Sequence, residues 1–569
     1  MQQLIECVPN FSEGRDMNII NKITDEIRGV EGVSLIDVDA GKATNRTVVT
    51  MVGAPEQVVE AAFRAIKKAK ELIDMRKHKG AHPRFGATDV CPLVPVSNIS
   101  MGEVVDYARK LAKRIGDELN IPIYCYEQAA LSETRKNLAE CRKGEYEALP
   151  QRITSNDWKP DFGPNHWTEE TQQSGATAVG ARNFLIAYNI NLNTTSTRRA
   201  NTIAFDLRER GRVKREGEVL VGKIVKDVSG NPINEPGLLK SVKGIGWYIE
   251  EYGIAQISLN LTDISITSMH KAFDTACERA TAHGLRVTGS ELVGVIPLQA
   301  MLDAGKYFLR KQNRSTGISD KDIIKIAVKS LGLDELYPFE PEKKIIEYIL
   351  EKGQGNNKNK LSNLSLTEFV HETASESPAP GGGSVAAYLG AIGAALGTMV
   401  ANLSAHKKGW DHRTAEFSDW AEKGKYYHDE LLKMVDEDTK AFNNIMEAFK
   451  LPQQSEDEKQ LRLATIEQAT RFAIEVPLKT MQLCCDSMEV MLAMAKIGNP
   501  NSISDAGVGA ISARGGVLGA WLNVKINAKD LNDRDFVNPT LNAGKKIVKR
   551  ANALEKSILD LVDKAIEKG

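Results

Sequence analysis

Short apolar runs alternate with amphipathic stretches over the front of the chain, and the alternation then stops. Leu4 to Val8, Val33 to Val38, Arg46 to Val52, Val90 to Val96 and Ile121 to Tyr126 read as strands. Between them lie helical periods. Met17 to Arg28 turns Ile19, Ile20, Ile23 and Ile27 to one side, Glu56 to Leu72 does the same with Val58, Val59, Ala62, Ile66 and Ala69, and Met101 to Leu119 follows. A second set opens with the strand Phe184 to Leu192, then the helix Thr197 to Glu209, the strand Ala255 to Leu261 and the helix Ser268 to His283. Arg210 to Gly237 reads as an inserted excursion turning at Gly230-Asn231-Pro232. Strands alternating with helices predict α/β or α+β architecture.

Asp320 to Leu333 and Glu342 to Glu351 read as helices leaving this region, and Lys352 to Asn363 is a polar, Gly/Asn-rich linker. Beyond it the strand-like runs vanish, which predicts an all-helical end. The expected layout is two α/β (α+β) sandwich-like subdomains with mixed sheets, 1–180 and 181–338, a linker over 339–365, and an all-α helical domain over 366–569. Ser377 to Ala405 carries no charged side chain and is long enough to cross a bilayer. It consists mostly of Gly, Ala and Ser, with Gly383, Ala387, Ala391 and Ala395 four apart. Such a stripe lets helices approach closely, so the stretch reads as a buried bundle helix and no membrane span is expected.

Composition narrows the classes. A chain of 569 residues exceeds one hydrophobic core. Its 74 Lys plus Arg against 75 Asp plus Glu leave no field that favours nucleic acid. The 7 cysteines are scattered without a CxxC pair, which argues for reduced thiols, a cytoplasmic location and no zinc site. The opening residues lack the apolar core of a secretory signal.

Candidate chemistry concentrates in His78-Lys79-Gly80-Ala81-His82-Pro83-Arg84-Phe85-Gly86-Ala87-Thr88-Asp89, a loop leading into a buried strand. The readings are a proton-transfer histidine in an anion-attracting loop, a metal pair at His78 and His82, and a solvated basic loop. Gly80 and Pro83 oppose the continuous helix that the metal pair would need. Asp39, just past a strand, suits either support of an imidazole or a turn cap beside Gly41. In the helical part, Leu431, Val435, Asp438, Phe442, Ile445 and Phe449 form an inward stripe containing one aspartate, while Asp436 and Glu437 fall off it. A buried carboxyl is paired, protonated or used. Pro380-Gly381-Gly382-Gly383-Ser384 opens the small-residue helix without the GK[ST] ending of a P-loop, and Gly244-x-Gly246 lacks the rest of a dinucleotide fingerprint. Ser504-Asp505 and Gly507 to Gly519 are further candidates for lining a cleft there.

These motifs carry a resemblance. HKGAHPRFGATDV resembles the histidine loop of glutamate formiminotransferases, Val8-Pro9-Asn10-Phe11-Ser12-Glu13-Gly14 their opening motif, and Asp37-Val38-Asp39-Ala40-Gly41 into Thr44-Asn45-Arg46-Thr47 a third block. From about Leu366, through Pro378-Ala379-Pro380-Gly381-Gly382-Gly383-Ser384, the chain resembles formiminotetrahydrofolate cyclodeaminases. The whole is similar to the bifunctional formiminotransferase-cyclodeaminases.

The resemblance implies transfer of a formimino group from N-formimino-L-glutamate to tetrahydrofolate, expected in its polyglutamated form, then cyclisation to 5,10-methenyltetrahydrofolate with loss of ammonia. It implies His82 with Asp39 as the first catalytic pair and Asp438 as the second proton donor. Gly163, Pro164, Asn165, His166, Trp167, Gly175 and Ala176 would contact folate in front, and Gly381, Gly382 and Gly383 behind. Asn10, Arg46, Lys79 and Arg84 would contact substrate. A metal is not expected, and homo-oligomers built from dimers are. Here Thr168 to Gln173 lengthens the folate segment relative to the family. The alternatives are a glutamate formyltransferase using N-formyl-glutamate and a folate-binding scaffold without turnover.

Overall fold

The computed structural model describes residues 3–42, 45–80, 84–217, 222–353, 360–377, 379–529 and 531–567. Its contacts divide the chain into two compact units, Met1–Met301 with Leu331–Gly355, and Leu302–Ser330 with Asn356–Gly569. Sheets, one of them mixed, with flanking helices make up the first and helices the second, as the hydrophobic periods predict.

The first sheet holds β1 (Leu4–Cys7), β2 (Asn10–Phe11), β3 (Val33–Gly41), β4 (Arg46–Gly53), β5 (Thr88–Ser97), β6 (Ile123–Glu127) and β7 (Thr177–Ala181). β3 pairs with β4; β1 and β2, in line, lie between β4 and β5; β7 and β6 follow. Pairing is antiparallel from β3 to β5 and parallel from β5 through β7 to β6. Pro9, which has no N–H to donate, stands at the break between β1 and β2. The helices Met17–Arg28, Pro55–Leu72 and Met101–Leu119 supply Ile23, Ile27, Val58, Ile66, Leu111 and Ile115 to the core. Ser100 and Glu103 close a capping box at the start of the third.

Register sets the faces. Asp39 stands opposite Val48, Val48 opposite Asn10, and Asn10 opposite Val90. Opposed residues share a side, so Asp39 and Asn10 project from one face, and Arg46, two before Val48, joins them. The second sheet orders its strands Val242–Ile249, Ile254–Leu261, Ile186–Leu192 and Val287–Val293, all antiparallel. A Cβ on Gly246 would overlap the backbone of Asn201, so this glycine serves the approach of the helix Thr197–Leu207.

In the second unit the helix Gly382–Ala405 packs against Thr414–Phe449, Glu456–Ile497 and Ile503–Asn527, and Arg534–Ile566 completes the bundle. That first helix is long and apolar enough to cross a membrane, yet 61% of its most apolar window is buried in the unit. The small-residue stripe differs from expectation at its end. Ala387 and Ala391 are buried, but Ala395 faces out, and Gly390, Gly393 and Gly397 make the close contacts. A four-residue repeat drifts around a helix of 3.6 residues per turn, and Ala395 has drifted off the contact line. Residues 302–330, placed by the sequence with the front subdomain, make their contacts in the helical unit. There Thr316 N–H donates to Ser418 Oγ at 3.0 Å, and Gly317 lies flush against Ala421.

Candidate active sites

The three motif blocks at the front, far apart in sequence, are tied together by short-range bonds. Ser12 Oγ–H donates to Gly86 O at 2.7 Å, Thr47 Oγ1–H to Glu13 O at 2.5 Å, and Gly14 N–H to Asn45 Oδ1 at 3.0 Å. Asn45 Nδ2–H donates to Lys79 O at 3.0 Å, and the ring of buried His78 donates through Nε2 to Asn45 O at 2.8 Å. A Cβ on Gly14 would stand 2.5 Å from Arg46 N, so the opening motif needs glycine there. His78 is therefore an internal brace of the loop. His82 lies outside the described residues.

Asp39 is exposed at the sheet face, and Asn10 is buried in the same row with Nδ2–H donating to Val8 O at 2.9 Å. Arg46 pairs with Asp89 at 3.1 Å. Burial lowers the pKa of its guanidinium, and Asp89 opposes the shift. Lys79 reaches solvent. Arg84, expected to contact substrate, is also bonded within the loop. Its Nη1 donates to Met75 O at 2.9 Å and His78 O at 2.6 Å, its Nε and Nη2 to Glu147, and its guanidinium lies over the Tyr146 ring. These bonds make Arg84 an anchor of the loop. Sequence reasoning missed Asp89 and Arg142 as a pair, 3.0 Å apart, because only the fold joins them. It also missed Glu6 on β1, 5% exposed, whose carboxyl burial pushes up to about 7 against the pull of Arg182.

The segment expected to cover folate divides between two places. At its start Gly163, with φ +81°, presses on Ile121 and Gly116. At its end Gly175, with φ +65°, bridges to Gly86, and Ala176 N–H donates to Phe85 O at 3.1 Å. Gly175 and Ala176 thus meet the histidine loop, whereas Gly163 meets the start of β6. Pro164, Asn165 and His166 run between, and Trp167 packs edge-on to Tyr146 with ring centroids 5.5 Å apart. The lengthening at Thr168 to Gln173 is a helical turn, Glu169–Ser174, whose N-cap Thr168 is in a capping box with Thr171.

Behind, Asp438 on Thr414–Phe449 meets the start of Gly382–Ala405. Ser384 Oγ–H donates to Asp438 Oδ2 at 2.9 Å, and the Ser384 backbone N–H donates to the same carboxylate. The first turn there has no side-chain cap, and Gly381, Gly382 and Gly383 line the cleft. A cavity of about 130 Å³ opens on the carboxyl, lined by Gly381, Gly382, Gly383, Asp438, Thr439, Phe442, Asn523 and Asn527 among others. Burial raises the Asp438 pKa, and the bonds from Ser384 oppose it. A carboxyl held toward its protonated form beside a cavity can give a proton to a leaving group.

The inward stripe holds only as far as this acid. Leu431 and Val435 are buried, while Phe442 and Phe449 are exposed and Ala441 and Ala448 face inward instead. Past Asp438 the helix borders a groove of about 730 Å³ shared with Glu456–Ile497. Ser504 and Asp505 stand in the first turn of Ile503–Asn527, at the far end from Asn523 and Asn527, so the cleft is lined by the last turns of that helix. Asn523 Nδ2–H donates to Gly519 O and Asn527 Nδ2–H to Ala473 O, which turns both amides to fixed orientations. Two asparagines four apart on an apolar helix were the available signal.

Comparison with known proteins gives three matches to family models. Residues 4–182 match the formiminotransferase domain, N-terminal subdomain; 187–351 the formiminotransferase domain; and 365–546 formiminotransferase-cyclodeaminase. The chain is 42% identical over 95% of its length to the formimidoyltransferase-cyclodeaminase of Mus musculus, covering 95% of that protein. Its front is 38% identical to the glutamate formimidoyltransferase of Streptococcus pyogenes serotype M1, over 55% of this chain and 95% of that one. Its back is 38% identical to the methenyltetrahydrofolate cyclohydrolase of Methylorubrum extorquens, over 35% of this chain and 96% of that one. With near full-length identity and a match to each part in order, the chain belongs to the formimidoyltransferase-cyclodeaminase family.

Proposed function

We propose that the chain moves one carbon through two reactions in succession, formimino transfer in the first unit and ring closure in the second. The donor is N-formimino-L-glutamate and the acceptor tetrahydrofolate, which fits the names of the relatives. N5 attacks the formimino carbon, and the carbon's bond to the glutamate nitrogen breaks. His82, supported by Asp39, moves the proton that N5 loses to the departing glutamate nitrogen. In the second unit N10 adds to the same carbon and loses its proton. The proton from N10 passes to the former imino nitrogen, which takes a second from Asp438 and leaves as ammonia, giving 5,10-methenyltetrahydrofolate. Attacker and carbon belong to one folate by then, so positioning supplies much of the rate.

The observation that carries this reading is Asp438, held by Ser384 at a cavity wall with its pKa raised by burial. A formyl donor or a scaffold without turnover is not favoured by the relatives, which are named as enzymes of formimino and methenyl folate chemistry. The test is ammonia release from N-formimino-L-glutamate plus tetrahydrofolate, absent when N-formyl-glutamate replaces the donor.

Three finer points belong to the same proposal. The folate is polyglutamated, with the groove beside the Asp438 cavity, which carries Lys440 and Arg471 alongside Glu447 and Glu475, as the place for its tail. The chain forms homo-oligomers through the bundle, supported by an exposed apolar face of Leu389, Ile392, Met399 and Leu403 with Val508, Ile511, Leu522 and Ile526. It works in the cytoplasm, supported by cysteines that form no disulfide among the described residues, six of them buried.

A further inference from the structure

We infer that Asn523 is the specificity-determining residue of the ring-closing cavity, its side-chain oxygen accepting an N–H from the formimino nitrogen of the folate. This rests on the reading of 5-formiminotetrahydrofolate as the substrate there. Two neighbouring glycines set the geometry. A Cβ on Gly383 would fall on the Asp438 carboxyl, and one on Gly382 would stand 3.5 Å from Nδ2 and 3.9 Å from Oδ1 of Asn523. Successive helical residues point about 100° apart, so the acid and the amide flank the opening turn of Gly382–Ala405 on two sides. Both line the cavity of about 130 Å³.

Chemistry fixes which way the amide points. A carbonyl oxygen can only accept, so the group that meets Gly519 O at 3.0 Å is the Asn523 Nδ2–H. Oδ1 is then left with no donor among the described residues. Asn527, one turn on, repeats the pattern, its Nδ2–H given to Ala473 O at 2.7 Å. Thr439 Oγ1, in the same wall, is buried without a hydrogen-bond partner among the described residues. The cavity therefore presents oxygens whose partners the chain itself does not supply, and a buried polar atom left so is costly until a ligand completes it. The incoming group matches. A formimino group ends in a nitrogen carrying one N–H, or two when protonated, whereas a formyl group ends in an oxygen that only accepts. Against Asn523 Oδ1 the first makes a hydrogen bond and the second sets lone pairs face to face. A site built to pair an N–H rejects an analogue lacking it far more strongly than one that only fits its shape.

The experiment is ring closure of supplied 5-formiminotetrahydrofolate by the full-length chain, with 5-formyltetrahydrofolate as competing ligand, for wild type, Asn523→Ala and Asn523→Asp. In the wild type the KM for the formimino folate is expected to lie about tenfold or more below the inhibition constant of the formyl folate. Asn523→Ala raises that KM by about tenfold or more and closes the gap. Asn523→Asp, which keeps an oxygen in place and gives up the bond to Gly519 O, leaves the gap open. Formimino transfer stays at the wild-type rate in both variants. A wild type that holds the two folates equally, a gap that survives in Asn523→Ala even with a lowered Tm, or a gap closed in Asn523→Asp as in Asn523→Ala would each overturn the assignment. A wild-type chain that closes no ring on the supplied folate overturns the parent reading instead, and is seen before any variant is made.

Discussion

A Cβ placed on Gly383 would fall on Oδ1 of Asp438. The bare backbone of the glycine lets the acid sit against the first turn of Gly382–Ala405, within reach of Ser384. Gly383→Ala is therefore expected to push the carboxyl out of place. A shift of about 1 Å in a reacting group costs on the order of a hundredfold in rate. Ring closure should fall by that order while formimino transfer keeps its wild-type rate, measured separately with the two folate substrates.

Gly86 is the matching position in front. Its Cβ would overlap the backbone oxygen of Ala176, which no rotamer change relieves. Gly86→Ala should separate the histidine loop from the Gly175–Ala176 end of its neighbour and destabilise the first unit by about 1–3 kcal/mol, the cost of overpacking. Thermal unfolding of the full chain and the transfer rate should both fall, with ring closure spared.

Glu6 predicts a pH dependence of stability. Its pKa in the folded chain is raised to about 7 from an ordinary 4.5, so the fold binds its proton more tightly than the unfolded chain does. The sign follows: stability is fullest below pH 4.5 and is lost as pH rises through about 7. At about 1.36 kcal/mol per pKa unit the loss is on the order of 3 kcal/mol. Glu6→Gln should remove it, raising Tm at pH 8 more than at pH 5. Equal shifts at the two pH values would contradict the burial argument.

The exposed face of the bundle predicts assembly. Leu522 is 61% and Ile526 53% exposed on one helix. Leu522→Glu with Ile526→Glu adds charges that an apolar contact between copies cannot bury, so the mass in solution should fall to a smaller species. A mass unchanged from wild type would count against that face.

Much of this was legible in the sequence because period and motif are local. The buried positions of Pro55–Leu72 follow its apolar spacing, and the histidine loop declared itself by composition alone. What escaped depends on the fold. Asp89 and Arg142 meet only when the turn before Glu145–Arg152 returns to the sheet. Ala395 and Phe442 belong to correct stripes that run on past the neighbour they were meant to face, since a repeat along one helix does not say where its partner ends. The bond from Arg84 to Glu147 escaped because the partner lies 63 residues along the chain.

One measurement bears most directly on succession between two pockets. Asp438→Asn and His82→Ala are each given N-formimino-L-glutamate and tetrahydrofolate, then mixed. Asp438→Asn alone should build up 5-formiminotetrahydrofolate without releasing ammonia, His82→Ala alone should do nothing, and the mixture should yield 5,10-methenyltetrahydrofolate with one ammonia per carbon moved. Ammonia released by Asp438→Asn alone, or a mixture as inert as His82→Ala, would contradict it.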